Sequence, residues 1–380
     1  MGSGRAPVPV PGSPGSVPLS VALDATLWDE PTTGIGLYGR AVAGALAARG
    51  VKVVRVGART SGEFPRRIRS RTLHTLAELP GILPRTGAPL FHAVANVDLP
   101  AVRVRGVAYV LTVHDLIPLT SPDTVSRPFH WQFRVWLARS LQLADHVVCV
   151  SDWTRQALLA RYPELPPGRV SMVHNGVDHV RPAALDATSE AWLRSLGLPE
   201  RWVLFAGALD GRKNVGLLLS ALEHLGPGAP TLVLAGQPWF GSEAIERRVG
   251  RLRARGLDIR PVGHLAEPLH WALMARAPLF VFPSRDEGFG LPPLEAMSLG
   301  TPVVVSNAAS LPEVCGPAAA YVDSDDVHGL ARTLVRLLGD APERKRMGDA
   351  GRTHALQFTW DRVATHLLGV YQGLLGAERR

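Results

Sequence analysis

The stretch VFPSRDEGFGLPPLEAMSLGTPVVVSN, residues 281–307, contains two apolar runs separated by a glycine-containing loop and a segment of helical character. The first run is typical of a buried strand and ends at Pro283, and the second, TPVVVS, is rich in valine, which favours strands. Between them, Pro292 and Pro293 preset the start of a helix that we expect to begin around Leu294. Strand, helix and strand in this order indicate a parallel sheet with helices on its faces.

The same alternation runs through both halves of the chain. Apolar runs in the first half are SVALDA, VKVVRVG, PLFHAVA, VAYVLTV, HVVCVS and VSMVHN, and in the second half they are WVLFAG, PTLVLAG, LDIRPVG, PLFVFPS and TPVVVS. We therefore predict an α/β protein with two doubly wound, Rossmann-like domains that face each other across a cleft. The predicted parts are a flexible tail over 1–18, a first domain over 19–180, a linker with a short helix over 181–200, a second domain over 201–360, and a C-terminal helix over 361–380 that can return to the first domain.

The composition of the 380 residues is that of a globular protein, because 46% of them are hydrophobic and 19% are charged. Lysine and arginine number 41 against 33 acidic residues, and the formal charge of +8 favours an anionic partner. No basic run interleaved with aromatics and no zinc-ligand spacing occurs, so we exclude nucleic acid. The densest basic cluster predicts peripheral contact with an anionic membrane or a lipid-linked diphosphate, with a solvated loop as the alternative. That cluster consists of Arg66, Arg67, Arg69 and Arg71.

The cysteines and the longest apolar segment bear on the compartment. Cys149 and Cys315 are the only cysteines, and both lie beside apolar runs, so we expect buried free thiols in a reducing compartment. The segment WALMARAPLFVFP is too short to span a membrane and is interrupted by Arg276 and Pro278. These observations predict a cytoplasmic protein with no membrane-spanning helix.

The segment TTGIGLYGR, residues 32–40, has glycines in the spacing of a dinucleotide-binding loop, at Gly34, Gly36 and Gly39. Eight residues separate the preceding strand SVALDA from Gly34, and no acidic residue follows VKVVRVG to hold a ribose hydroxyl. The pattern therefore departs from the dinucleotide fingerprint. An NADP-binding loop that uses Arg59 and a simple surface turn stay open as alternatives.

Two glutamates bracket the loop and the helix of the opening stretch. Glu287 lies on the loop, where Gly288 and Gly290 allow a ligand to approach the backbone, and we place Glu295 in the first helical turn. A loop carboxylate can accept hydrogen bonds from a polyol, and one in the first turn can bind a vicinal diol such as ribose. A solvated charge and a partner of the helix dipole are the alternatives.

Other strand ends carry further candidates. Arg212 and Lys213 follow the strand WVLFAG, and two adjacent cations suit a diphosphate, although a solvated basic loop gives the same pattern. His114 and Asp115 close the strand VAYVLTV, where a hydrogen-bonded turn is the alternative to a role in a site. Asn96 ends the run FHAVAN and is a candidate by position alone.

Together these segments resemble the retaining GT-B glycosyltransferases of family 4. The resemblance rests on EGFGLPPLE at 287–295, GTPVVVSN and LPEVCGPAAAYV, with FAGALDGRKN, GHL, HNGVD and TGIGLYGR in the family's order, and it covers nearly the whole chain from about residue 18. It implies a GT-B fold and an enzyme that moves a hexosyl group from a nucleoside-diphosphate sugar to a glycan or lipid-linked acceptor, with no cofactor. The segments SLPEVCG and AAAYVD are similar to those of mannosyltransferases of polysaccharide assembly, which implies GDP-mannose as the donor.

The resemblance also implies roles for single residues. Glu287 contacts the transferred sugar, Glu295 the ribose, and Lys213 the leaving diphosphate, while His114 lies near the donor sugar. Many members have an arginine where this chain has Ala208, and we expect Arg212 to replace it. Further implied contacts are Gly207, Gly263, His264, Leu265, Gly288, Phe289, Gly290 and Leu291 for the donor, the glycine loop Gly34, Ile35 and Gly36 for phosphate or acceptor, and Asp115, Asn96 and Asn175 as additional candidates.

The chemistry that the family implies needs no covalent nucleophile, and the motifs contain no obvious one. The leaving phosphate oxygen instead helps to deprotonate the acceptor on the same face of the sugar. The run DSDD, residues 323–326, has the Asp-x-Asp pattern of a metal site, but we expect it to cap the following helix and expect catalysis without a metal. A sugar-nucleotide epimerase on the same fold and an NADP-dependent oxidoreductase stay open as alternative functions.

Overall fold

The computed structural model describes residues 19–28, 34–58, 64, 67, 70–181, 185–239 and 241–377. The predicted tail over 1–18 lies outside these residues. Two parallel, six-stranded sheets organise the described chain. The strands are β1 (Ser20–Asp24), β2 (Lys52–Val56), β3 (Leu90–Ala93), β4 (Ala108–Val113), β5 (His146–Cys149), β6 (Val170–Met172), β7 (Trp202–Ala206), β8 (Thr231–Ala235), β9 (Ile259–Gly263), β10 (Phe280–Phe282), β11 (Val303–Ser306) and β12 (Ala320–Val322).

Helices cover the sheets and connect their strands. They are α1 (Gly34–Ala48), α2 (Arg71–Leu73), α3 (Leu79–Thr86), α4 (Ile117–Thr120), α5 (Arg127–Leu143), α6 (Asp152–Arg161), α7 (Ala187–Ser195), α8 (Val215–Leu225), α9 (Glu243–Ala254), α10 (Glu267–Arg276), α11 (Leu291–Ser298), α12 (Leu311–Cys315), α13 (Val327–Gly339), α14 (Ala341–Ala355) and α15 (Trp360–Ala377). A π-helix, His74–Glu78, lies between α2 and α3.

Strand order places the polar loops at the middle of each sheet. The first sheet runs β2-β1-β3-β4-β5-β6 and the second β12-β11-β10-β7-β8-β9. Every residue of β4, β7 and β10 is buried, because apolar residues on both faces pack under helices. The order reverses between β1 and β3 and between β7 and β10, which are the positions where open α/β sheets bind ligands. This is the GT-B arrangement of two Rossmann-like domains.

Helix α11 begins earlier than the sequence predicts, at Leu291 instead of near Leu294. Gly290 has a φ of +95° and turns the chain directly into the helix, and the two prolines then occupy the first turn, where no backbone N–H is needed. Glu295 consequently lies in the second turn, so our placement of it in the first turn was wrong. Its carboxylate therefore gains little from the helix dipole, which acts within the first turn.

The last helix, α15, packs on the first domain. Arg49, directly after α1, forms an ion pair with Asp361, with Nη2 2.8 Å from Oδ2, and His92 Nδ1 lies 2.7 Å from the Tyr371 hydroxyl. The chain crosses back where the backbone N–H of Trp360 donates to Asp178 Oδ1 over 2.8 Å. The end of the chain thus fastens the second domain to the first, beside the segment that connects them.

Candidate active site

Three donors converge on one oxygen of Glu287 at the carboxyl ends of β7 and β10. Lys213 Nζ and Arg212 Nη1 each lie 2.7 Å from Oε1, and Ser284 Oγ donates to the same atom over 2.6 Å. Asp210 Oδ1 accepts the backbone N–H of Lys213 over 2.8 Å and so fixes the loop. No described residue donates a hydrogen bond to Oε2 of Glu287, so that oxygen can accept a hydroxyl of a ligand.

Burial and charge oppose each other in this cluster. Burial raises the pKa of Glu287, but the adjacent Lys213 and Arg212 charges outweigh it and the net shift is downward. Burial lowers the pKa of Lys213, and the Glu287 charge only partly offsets this. The ammonium also lies 4.5 Å from the ring centroid of Phe282. Two cations held by one carboxylate oxygen form a partly neutralised group to which an incoming diphosphate can bind.

Gly207 and Gly236 let strands β7 and β8 end in close contact behind Lys213. A Cβ added at Gly236 would lie 1.9 Å from the Gly207 carbonyl oxygen, and both glycines have positive φ. The Gly207 N–H donates to Ala235 over 2.9 Å. Glycine is therefore required at this strand end for packing, which is an explanation independent of any ligand.

In the first domain, Asn96 holds the turn that carries His114 and Asp115. Its Oδ1 accepts the His114 backbone N–H over 2.7 Å, and its Nδ2 donates to the Asp115 carbonyl over 3.1 Å. His114 Nε2 donates to the Val94 carbonyl over 2.7 Å, which leaves Nδ1 as an acceptor. Burial lowers the pKa of His114 to about 4 and raises that of Asp115 to about 6. The imidazole is consequently neutral at pH 7 and can accept a sugar hydroxyl.

Gly288 brings the two domains into contact at the site. A Cβ added there would lie 1.7 Å from the His114 carbonyl oxygen and 2.9 Å from the Asp115 Cβ. The Gly288 carbonyl accepts Ser151 Oγ over 2.5 Å and Thr154 Oγ1 over 3.1 Å, both from the start of α6. The loop that bears Glu287 therefore lies directly against the turn that bears His114.

Glu313, which the sequence analysis did not single out, crosses the cleft from the second domain. Its carboxylate accepts the backbone N–H groups of Asp152 and Trp153 at the N-terminus of α6, over 2.7 and 3.1 Å. His174 Nε2 lies 2.6 Å from the same carboxylate. Burial raises the pKa of Glu313, but these hydrogen bonds lower it more strongly. Its carboxylate caps a helix of the other domain and stabilises the closed arrangement.

Glu295 is paired with a residue of the interdomain segment. His179 Nε2 lies 3.2 Å from Glu295 Oε1, and His179 Nδ1 accepts Trp360 Nε1 over 3.3 Å. The HNGVD motif and the histidine after it thus supply both cross-domain histidines, although the sequence analysis took only Asn175 from them. Asn175 is buried, and its Oδ1 has no partner among the described residues.

The remaining candidates lie in varied surroundings. Gly34, Ile35 and Gly36 form the first turn of α1, so our placement of them in a loop was wrong; Gly34 is exposed there and Gly36 is buried. The Phe289 ring is buried 5.8 Å from the His174 ring and belongs to the packing under the site. The rest follow the strand-end pattern: Gly263 ends β9 with a φ of +69°, His264 is exposed, Leu265 is buried and Leu291 opens α11.

Two of the four arginines of the basic cluster lie within the described residues. Arg66 and Arg69 lie outside the described residues, Arg67 is exposed, and Arg71 binds Asp98 with Nε 2.9 Å from both carboxylate oxygens. Arg71 is thus part of a buried polar cluster in the first domain. A membrane-facing role for the four arginines stays a prediction.

The acidic run at 323–326 caps α13, as predicted. Asp326 Oδ1 accepts the backbone N–H of Gly329 over 2.7 Å, and Asp325 forms an ion pair with Arg285. Among the residues that the structure describes, no three His, Cys, Asp or Glu side chains are grouped to hold a metal ion. No described helix is both long enough and apolar enough to cross a membrane.

Asp24 and Asp98 form a carboxyl pair that the sequence analysis missed. Asp24 ends β1, both side chains are buried, and burial together with the Asp98 charge raises the pKa of Asp24 to about 8. A polar residue at a strand end was the available signal, since Asp24 closes the run SVALD.

Asp24→Asn should flatten the pH dependence of stability. Between the ordinary value of 3.8 and about 8, folded Asp24 is protonated and unfolded Asp24 is not, so unfolding releases a proton. The free energy of unfolding therefore falls as pH rises through this range. From pH 5 to 8 the Tm of the wild type should decline more steeply than that of the variant in calorimetry. Parallel curves would show that Asp24 is ionised in the folded protein.

Family models and relatives identify the class. Residues 189–354 match the model described as glycosyl transferases group 1, and residues 32–181 match the glycosyltransferase family 4 model. The chain is 31% identical over 274 residues to O-antigen chain mannosyltransferase B of Escherichia coli, which covers 69% of this chain and 70% of that protein. It is 30% identical over 284 residues to alpha-maltose-1-phosphate synthase of Mycolicibacterium smegmatis, covering 70% and 73%.

Solved structures share the whole fold. Sucrose-phosphate synthase from Thermosynechococcus elongatus has a TM-score of 0.71 at 22% identity, with 94% of this chain and 100% of that chain covered. Anabaena HepE in complex with UDP-glucose has a TM-score of 0.71 at 17% identity, covering 93% and 100%. Fold and site define a GT-B enzyme that transfers sugars. The chain belongs to glycosyltransferase family 4.

Proposed function

We propose that this enzyme is a retaining glycosyltransferase that moves a hexosyl group from a nucleoside-diphosphate sugar to an acceptor hydroxyl in glycan or glycolipid assembly. The observation that carries the proposal is the convergence of Arg212 and Lys213 on Glu287 at the ends of β7 and β10. Two mannosyltransferases are among its relatives at about 30% identity, which supports mannose, with GDP-mannose as the donor. UDP-glucose bound to HepE supports a nucleotide-sugar donor in general.

The proposed chemistry follows from the charges in the site. Lys213 and Arg212 neutralise the charge that develops on the leaving diphosphate. Stabilisation of this kind by preorganised charged groups is usually the largest single contribution to the rate of an enzyme. Glu287 keeps Oε1 on these cations and accepts a hydroxyl of the transferred sugar with Oε2. Neutral His114 accepts a second hydroxyl through Nδ1. The leaving phosphate oxygen then takes the acceptor proton on the same face, so no separate protein base is needed.

Thermal shift with a panel of nucleotide sugars tests the donor. We expect GDP-mannose to raise the Tm more than UDP-glucose, ADP-glucose or UDP-N-acetylglucosamine, because binding to the folded state alone stabilises it. A larger shift with another sugar nucleotide would change the donor and leave the site assignment intact. No shift with any of them would contradict a nucleotide-sugar site.

Glu287→Gln and Glu295→Gln should separate two roles in the donor site. Loss of the Glu287 charge frees two buried cations from their partner, so kcat should fall by about a hundredfold or more. Glu295 is assigned to the ribose, so its variant should raise the donor KM by about tenfold with little change in kcat. Steady-state kinetics measure both, with exposed Glu200→Gln as the matched control. Mild and equal effects of the two substitutions on kcat and KM would show that neither residue contacts the donor.

The rival functions make different predictions. An NADP-dependent oxidoreductase needs the glycines to follow the first strand directly, whereas Gly34 opens a helix that is separated from β1. A sugar-nucleotide epimerase would convert the donor with no acceptor present. Nuclear magnetic resonance of the donor pool would reveal an epimer in that case, whereas a glycosyltransferase releases a nucleoside diphosphate.

We further propose a cytoplasmic enzyme in peripheral contact with an anionic membrane. The formal charge of +8 supports such a contact, and exposed Trp131 and Val135 on α5 add an apolar surface in the first domain. Sedimentation with phosphatidylglycerol vesicles should show binding that salt weakens. Absence of binding at low salt would contradict the contact.

A further inference from the structure

A cavity of about 210 Å³ opens in the first domain between α2, α5 and the loop after β3. Drug-sized ligands occupy pockets of about 300–1,000 Å³, so this one suits a smaller group such as one sugar ring. It lies outside the donor cluster of Lys213 and Glu287. The residues of its wall that matter here are Arg71, Thr75, Asp98, Gln132, Phe133 and Trp136.

One wall of the cavity is polar and rigid. Asp98 and Thr75 are each only 3% exposed, and Arg71 grips the Asp98 carboxylate with two nitrogens. Gln132 Nε2 donates to Thr72 Oγ1 over 2.9 Å, and within the described residues this is the one hydrogen bond of its side chain. Carboxylate, amide and hydroxyl groups of this kind accept and donate hydrogen bonds to a polyol.

Helix α5 adds aromatic side chains to the wall of the cavity. Phe133 is buried, Trp136 is half-buried, and the Phe129 ring lies 6.1 Å from that of Phe133. Arg139 lies over the Trp136 ring, 5.9 Å from its centroid, and restrains it. A pyranose has a C–H face that packs on aromatic rings and a rim of hydroxyls that requires polar partners. The wall of the cavity offers both kinds of surface.

The position of the cavity relates it to the reaction. Asp98 lies two residues after Asn96, whose side chain holds the turn of His114 and Asp115. Asp98 therefore belongs to the same loop whose Asn96 side chain holds the turn of His114, the residue that we place beside the donor sugar. Resting on the proposed function, we propose that this cavity binds one hexose unit of the acceptor glycan, between the Asp98 and Gln132 side chains and the Trp136 ring.

Saturation-transfer nuclear magnetic resonance with methyl glycosides of mannose, glucose, galactose, N-acetylglucosamine and rhamnose tests the cavity. At least one glycoside should bind the wild type, and Trp136→Ala should weaken that glycoside by about tenfold. Gln132→Ala should weaken binding of the same glycoside as well. Because Gln132 is exposed, this variant tests the cavity even if Trp136→Ala fails to fold. Gln142→Ala, on the same helix but outside the cavity wall, should bind as the wild type does.

The outcomes separate this inference from the proposed function. Absence of binding by every glycoside, or binding that Trp136→Ala and Gln132→Ala leave unchanged, would overturn the cavity as an acceptor site. The Tm shift with nucleotide sugars reports on the donor site independently. Donor binding without glycoside binding would refute only the cavity, whereas failure of every nucleotide sugar to bind would refute the proposed function.

Discussion

Lys213→Ala should lower kcat for nucleotide-sugar turnover by about 10²- to 10³-fold, the loss that follows removal of one preorganised charge donor. Lys213 lies 2.7 Å from Glu287 and is buried, so nothing from the solvent supplies a positive charge at this fixed position when the side chain is removed. The donor KM should change less, because Arg212 continues to attract the diphosphate. The effect is measured as the rate of nucleoside diphosphate release at saturating donor, monitored by chromatography.

Lys345→Ala provides the matched control, since Lys345 is exposed and pairs with Asp349 in the next turn of α14. It should retain the activity of the wild type. Removing Lys213 leaves a buried carboxylate with one cation fewer, so the Tm of both variants has to be recorded. If a folded Lys213→Ala variant kept more than about a third of the wild-type kcat, Lys213 would have no role in catalysis.

Gly288→Ala should reduce kcat/KM by about a hundredfold without unfolding either domain. The added Cβ would lie 1.7 Å from the His114 carbonyl oxygen, so the loop and the turn have to separate. A displacement of about 1 Å between reacting groups costs about a hundredfold in rate. Gly44→Ala is the control, because a Cβ there meets no atom within 4 Å. Full activity in the Gly288 variant would show that catalysis does not need this contact.

The pattern of apolar runs predicted the two sheets and the polar residues at their strand ends. The loops after β7 and β10 could be recognised in the sequence because the charged residues of each loop follow a short buried strand. Parallel strands place such ends at one edge of a sheet, and there the structure brings Lys213 and Glu287, which are 74 residues apart, into contact.

Contacts between the domains were not predictable in the same way. His179 and Glu295 are 116 residues apart, and Glu313 reaches the start of α6 across 161 residues. Neither pair has a local pattern, because the contact depends on how two separately folded domains are closed on each other. The early start of α11 was missed for a local reason, since the left-handed Gly290 let the helix begin before its prolines.

Release of nucleoside diphosphate from the nucleotide-sugar panel in excess EDTA is the most direct test of the proposed chemistry. In the mechanism that we propose, Lys213 and Arg212, which both contact Glu287, neutralise the diphosphate that a magnesium ion would otherwise bridge. In EDTA, the wild type should therefore release nucleoside diphosphate from one donor, and Lys213→Ala should lose most of this activity. With an acceptor present, the glycoside product should keep the α configuration of the donor. Inactivation by the chelator that magnesium or manganese reverses, or an inverted product, would contradict the mechanism proposed for this site.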